Sequence, residues 1–147
     1  MKVAIGSDHR GLQLKNLLVP ELISLGFSVK DYGTRSKKTC DYPDYAHRVA
    51  KAISKQEVDF GILICGTGIG MCIVANKHPN VRAVVCHDDF STRLARELYD
   101  ANCLCLAGIA NKELVKIWVE TKFSASQRFI RQLSKLKLIE GNNNEPK

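Results

Sequence analysis

Apolar residues gather in five short runs spread along the chain: KVAIGS, FSVKDYG, FGILIC, RAVVCH and CLCLAG, beginning near residues 2, 27, 60, 82 and 103. Runs of this length, rich in β-branched residues and bounded by glycine or polar clusters, predict strands. Between them the apolar positions fall into helical spacing. Leu14, Leu17, Leu18, Leu22 and Leu25 mark one helix; Tyr45, Val49 and Ile53 a second; Phe90, Leu94 and Leu98 a fourth; Leu114, Ile117, Trp118 and Thr121 a fifth. The third helix starts inside GTGIGM, directly after the third strand. Pro20 removes a helical donor, so a kink or restart is expected there. Strand and helix alternate throughout, which implies an α/β domain whose parallel sheet is covered on both faces by right-handed crossovers.

A chain of 147 residues suits one domain and is short for two. We assign that domain to residues 1–140 and read GNNNEPK, 141–147, as a disordered tail. Hydrophobic residues make up 45% and charged residues 25%, ordinary values for a soluble protein. No apolar stretch approaches the roughly 20 residues of a membrane span. The opening MKVAIGSDHRG turns polar at Ser7, unlike a signal peptide, so a cytoplasmic location is expected.

The formal net charge of +7 is concentrated late in the chain, where five basic residues and no acidic one lie between Lys122 and Lys137. Arg128, Arg131 and Lys135 share a helical face opposite Phe129, Leu133 and Leu136. Such a face is either simply solvated or a phosphate contact, on a ligand or on a partner subunit. No aromatic platform interleaves it, which argues against nucleic acid.

In a parallel sheet of this kind ligands bind outside the carboxyl ends of the strands. Ser7, Asp8 and His9 follow the first strand, Cys65 to Gly70 the third, His87, Asp88 and Asp89 the fourth, and Gly108 the fifth. Asp41 and Tyr42, in the loop after the second strand, are placed to close over the same crevice. Cys65 stands where a strand hands over to GTGIG, whose glycines allow close backbone approach and whose free amides favour an oxyanion or thiolate. Thr67 either caps the turn or hydrogen-bonds to sulfur or substrate. A thiol beside an oxyanion hole serves as nucleophile, or as a base that moves a carbon-bound proton. The other cysteines lie within or beside apolar runs; Cys103 and Cys105, two apart on one strand face, read as core. There is no paired CxxC and no metal-ligand spacing, so neither a metal nor a cofactor is expected. The turn does not match GxxxxGK[ST], and Met71 occupies the sixth position of the dinucleotide fingerprint.

GSDHRG at the start, DYPDYA at 41–46, ILICGTGIGMCIVANK at 62–77, VRAVVC, and DAN at 100–102 together resemble ribose-5-phosphate isomerase B and the related galactose-6-phosphate isomerase subunits. The resemblance spans nearly the whole chain. It implies a Rossmann-like three-layer αβα sandwich with a five-stranded parallel sheet, paired as a homodimer or tetramer with shared active sites. It implies a metal-free aldose–ketose isomerase of a sugar phosphate, most closely ribose 5-phosphate to ribulose 5-phosphate. On this resemblance Cys65 is the base and Thr67 its neighbour, while Gly66, Gly68, Ile69 and Gly70 hold the enediolate. Asp8 and His9 bind the substrate's hydroxyl or phosphate end, and Tyr99, Arg128 and Arg131 complete the binding set.

Three positions depart from the family pattern. Leu98 stands where a ring-opening histidine is expected, Ala110 where an arginine follows the fifth strand, and Gln132 in place of a second C-terminal arginine. His87, at the end of the fourth strand, is a candidate replacement for the missing acid. The alternatives are an isomerase of another aldose phosphate, of the galactose 6-phosphate type, or a non-catalytic sugar-phosphate-binding module. Retention of Cys65 with Thr67 favours the enzyme.

Overall fold

A computed structural model describes residues 1–142. Its elements are β1 (Lys2–Ser7), α1 (Leu12–Ser24), β2 (Ser28–Asp31), α2 (Tyr42–Ser54), β3 (Phe60–Cys65), α3 (Ile69–Ala75), β4 (Ala83–Val85), α4 (Asp89–Glu97), β5 (Cys103–Ala107), α5 (Glu113–Glu120) and α6 (Gln127–Asn142). The five strands are parallel, in the order β2-β1-β3-β5-β4. All five apolar runs therefore become strands, each within a residue or two of its expected start.

Side chains alternate across the central strands and build two cores. Ile62 and Ile64 of β3 and Leu104 and Leu106 of β5 face α1, α4 and α5, where they meet Leu14, Leu18, Leu22, Leu114 and Trp118. Leu63 and Cys65, with Cys103 and Cys105, face α2 and α3 and meet Ala46, Val49, Ile53, Met71 and Ala75. This is the three-layer αβα sandwich, and both β5 cysteines are core residues with no exposure. Because β3 has a strand on each side and a helical layer on each face, all six of its residues are buried.

Helix α1 runs through Pro20 without a break, so the chain does not restart there. Both Pro20 and Asn16, whose carbonyl loses its partner, lie on the exposed side, so water satisfies the freed group. Leu17 and Leu25 are also exposed, although they share the helical period of the buried leucines. In α4 the expected core residue Phe90 is 74% exposed, and the helix instead buries Thr92, Ala95 and Arg96. The Arg96 guanidinium lies 4.6 Å from the ring centre of Phe60 and pairs with Asp100 at 3.0 Å, so a cation supported by an aromatic face and a carboxylate takes the place of an apolar residue. Helix α6 continues through Gly141 and Asn142, two residues into the expected tail. The rest of that tail, 143–147, lies outside the described residues.

Candidate active site

The chain steps from β1 to β2 in one direction and to β3 in the other, so the crevice of this sheet opens between the carboxyl ends of β1 and β3. Ser7 is in register with Ile64, and Cys65 with Ala107, so the ends of β1, β3 and β5 stand level. Asp8 and Cys65 are the first residues to emerge there.

Asp8 is buried, and one of its carboxylate oxygens accepts from the amides of Arg10 at 2.9 Å and Gly11 at 3.1 Å. Its own amide donates to the Ile64 carbonyl at 3.2 Å. These bonds tie the turn after β1 to β3 and spend one carboxylate oxygen, leaving the other for a ligand. His9 faces the loop after β2: its Nδ1 accepts from the Cys40 amide at 3.3 Å, which leaves Nε2 for substrate. Tyr42 opens helix α2 rather than lying in the loop, and its ring reaches the turn after β3. A Cβ built on Gly70 would lie 2.8 Å from two ring carbons of Tyr42, so the Tyr42 ring rests directly on the glycine.

Cys65 is 5% exposed, and its Sγ accepts from the Gly68 amide at 3.1 Å. Gly68 has φ +78°, and a Cβ there would sit 3.0 Å from the Leu106 backbone; only glycine takes this left-handed position without strain. Thr67 is exposed, and its Oγ1 accepts from the Ile69 amide at 3.2 Å, a bond that closes the turn just before the Gly68 N-cap of α3. Among the described residues the amides of Gly66, Thr67 and Gly70 make no backbone hydrogen bond. A buried thiol thus adjoins a turn with free N–H groups, an arrangement suited to an anion developing next to the sulfur.

Eight predicted site residues converge in this way: Asp8, His9, Cys65, Gly66, Thr67, Gly68, Ile69 and Gly70. The rest do not. Tyr99 precedes β5 and therefore lies at the amino ends of the strands, on the far side of the molecule from Cys65. It is 55% exposed, in a turn fixed by Asp100, which has φ +44° and pairs with both Arg82 and Arg96. Helix α6 lies at the same end, where Ile130, Leu133 and Leu136 line a groove with Asn80, Arg82 and Tyr99. The Asn80 amide donates to Glu140 there at 2.7 Å. Arg128 and Arg131 are exposed on this helix. His87 follows the edge strand β4 and is exposed, two strands from Cys65, about 10 Å away at the usual strand spacing.

Sequence reasoning overlooked two residues. Arg10, inside the GSDHRG motif, lays its side chain over Gly66, where a Cβ would meet its Cδ at 3.0 Å and its Nη1 at 3.2 Å. Cys72, one turn into α3, is an acidified thiol. Its pKa is lowered to about 7, first by hydrogen bonding from the Cys105 thiol and then from Asn76 and the Val85 backbone, against the opposing effect of burial. Its place within an apolar run had marked it as core. Among the described residues no group of three histidine, cysteine or carboxylate side chains is placed to hold a metal ion.

A family model described as ribose/galactose isomerase matches residues 3–136. Ribose-5-phosphate isomerase B of Escherichia coli K12 is 42% identical over 139 residues, covering 94% of this chain and 93% of that protein. Among solved structures, ribose-5-phosphate isomerase B of Clostridium thermocellum superposes with a TM-score of 0.92 at 39% identity, covering 98% of this chain and 100% of that one. The Mycoplasma genitalium ribose-5-phosphate isomerase B, solved with bound ribulose-5-phosphate, gives a TM-score of 0.90 at 35% identity, with 95% and 96% covered.

Proposed function

The chain belongs to the ribose/galactose isomerase family, and from that premise we propose that it interconverts ribose 5-phosphate and ribulose 5-phosphate with Cys65 as the base. It is a sugar-phosphate aldose–ketose isomerase. The observation that carries the assignment of the base is the Gly68 amide donating to a buried Cys65 sulfur amid the unpaired amides of Gly66, Thr67 and Gly70.

In the forward direction the Cys65 thiolate takes the proton from C2 of the open-chain aldose, and the electron pair moves onto the carbonyl oxygen to give an enediolate. The free amides of the turn hold that oxygen as its charge grows, which is what makes a carbon-bound proton removable. The proton of the C2 hydroxyl passes to the C1 oxygen, Cys65 returns its own proton to C1 and the C2 oxygen becomes the ketone, so atoms and charge balance without an external oxidant. Asp8 and His9 hold substrate hydroxyls through the carboxylate oxygen and Nε2 that the turn leaves free, and Tyr42 covers the crevice.

Tyr99, Arg128 and Arg131 sit at the amino ends of the strands, so they reach a phosphate held at the carboxyl ends only from a second copy. We therefore assign them to the partner's site in a homodimer. The exposed apolar residues of α6, Ile130 at 49%, Leu136 at 49% and Leu138 at 70%, suit burial in such a pairing. No helix among the described residues is long and apolar enough to cross a membrane, and six free cysteines suit the reducing cytoplasm. The donor set of thiol and amides needs no metal to stabilise the enediolate.

The test is to incubate purified protein with ribose 5-phosphate and a panel of other aldose phosphates, including galactose 6-phosphate, and follow ketose formation. The highest kcat/KM is expected on ribose 5-phosphate; a higher value on another aldose phosphate reassigns the substrate, and no turnover on any sugar phosphate refutes the activity.

A further inference from the structure

We propose that Arg10 is a phosphate-binding residue of this site, gripping the sugar phosphate at the mouth of the crevice from the same chain that supplies Cys65. The inference rests on the isomerase reading above and adds to it a residue that neither the motifs nor the helix α6 charges point to.

Four observations place Arg10. Its amide is held by the Asp8 carboxylate at 2.9 Å. Its carbonyl oxygen packs so close to Gly108 that a Cβ there would sit 2.4 Å away, and Gly108 in turn donates to the Cys65 carbonyl at 2.8 Å. The backbone of Arg10 is thus clamped between the turns that follow β1 and β5. The side chain crosses Gly66, with Cδ and Nη1 against the position a Cβ would take, which directs the guanidinium over the turn that follows β3.

The charge on Arg10 has no counterpart in the fold. Its guanidinium makes no salt bridge and no hydrogen bond to any described residue, whereas the buried Arg96 and the half-buried Arg82 both pair with Asp100. The neighbouring turn after β5, Gly108, Ile109 and Ala110, carries no charge. A fixed, unpaired arginine at a site for an anionic substrate provides a planar fork of donors matched to phosphate oxygens. Depth within the crevice decides which end of the substrate it meets. Cys65 lies at the floor, 5% exposed, with the Gly68 amide on its sulfur and the rest of the turn beside it, so the reacting carbons are already served. Arg10 is exposed at the rim, where a dianionic phosphate keeps part of its hydration.

Steady-state kinetics on the preferred aldose phosphate, with Arg10→Ala and Arg10→Lys, test this. A lost charge-assisted contact predicts a rise of about tenfold to a hundredfold in KM and in the inhibition constant of inorganic phosphate, with kcat within about threefold of wild type. Arg10→Lys should recover part of the loss, since the charge returns without the fork. Turnover of the corresponding unphosphorylated aldose, measured as kcat/KM, should be unchanged by Arg10→Ala. A fall in kcat at constant KM would place Arg10 at the enediolate instead, and unchanged KM and inhibition constant would make it a surface residue; either result overturns the proposal. If wild type turns over no sugar phosphate, calorimetric titration with inorganic phosphate still separates the two readings. Weakened binding in Arg10→Ala then supports the grip while the isomerase reading fails, and equal binding by both proteins, or none, removes the grip as well.

Discussion

The amide of Gly68 points at the sulfur of Cys65 from 3.1 Å, and the residue that holds this amide in place is itself held in the left-handed region at φ +78°. The chemistry of the thiol and the conformation of the glycine are therefore one unit.

Replacing the thiol alone should remove catalysis and spare the fold. We expect Cys65→Ser to lower kcat by at least about a hundredfold, because an alcohol is a far poorer base near neutral pH. The midpoint of urea unfolding should change little. Turnover within a few-fold of wild type would dismiss Cys65 as the base.

Gly68→Ala addresses the other half of the unit. The left-handed φ and a Cβ 3.0 Å from the Leu106 backbone should cost about 1–3 kcal/mol and rotate the amide away from sulfur. Denaturant unfolding should show the loss of stability, and kcat should fall more than tenfold. An unstrained, active Gly68→Ala protein contradicts the geometry.

Cys72 should be the thiol that reacts near neutrality. Its pKa near 7 predicts an alkylation rate by iodoacetamide that rises with pH to a midpoint near 7 and disappears in Cys72→Ser. The sign for stability follows from the same shift. A folded pKa below the ordinary thiol value of 9.0 means that the thiolate is favoured in the native state. This contribution is present above the unfolded value and lost as pH falls from about 9 through about 7. Wild type minus Cys72→Ser, measured by urea unfolding across that window, should show the trend; a flat difference argues against it.

Mixing two inactive chains tests the shared site. Cys65→Ser retains Arg128, and Arg128→Ala retains Cys65, so each heterodimer has one complete site. Random exchange of equal amounts should restore about a quarter of wild-type activity. If mixed and unmixed samples are equally inactive while both homodimers stay folded, Arg128 does not act across the interface.

The order and type of the elements were legible because short apolar runs and period-3.6 patterns alternate from Val3 to Trp118. The Cys65 turn was legible for a different reason: three glycines after a buried strand have few structural uses other than close backbone approach. Phe90 was misread because the helical period says which residues share a face, not which face is buried, and a cation stacked on Phe60 took the interior place. Arg10 was passed over because an arginine in an exposed turn has no sequence signature; its meaning comes from lying across Gly66, 56 residues away. Cys72 was hidden in the same way, since its acidity comes from Cys105 on a different element. The strand-end cluster around Cys65 is local in sequence. Tyr99, Arg128 and Arg131 fall at the opposite end of the sheet, because helical periodicity does not say which end of the sheet a turn or a terminal helix packs against.

The turn after β3 offers the substrate mainly backbone N–H groups, and this bears on how such a protein diverges. A main-chain donor is common to every non-proline residue, so drift in the side chains around it leaves the proton-transfer step intact as long as the left-handed glycine survives. The rim has no such protection. Every charge there hangs on a long side chain from a surface turn or from an outer helix, where substitution scarcely disturbs the core. Leu98, Ala110 and Gln132 lie in such peripheral places. A lineage can therefore exchange one sugar phosphate for another by editing the edge of the crevice while inheriting its floor unchanged.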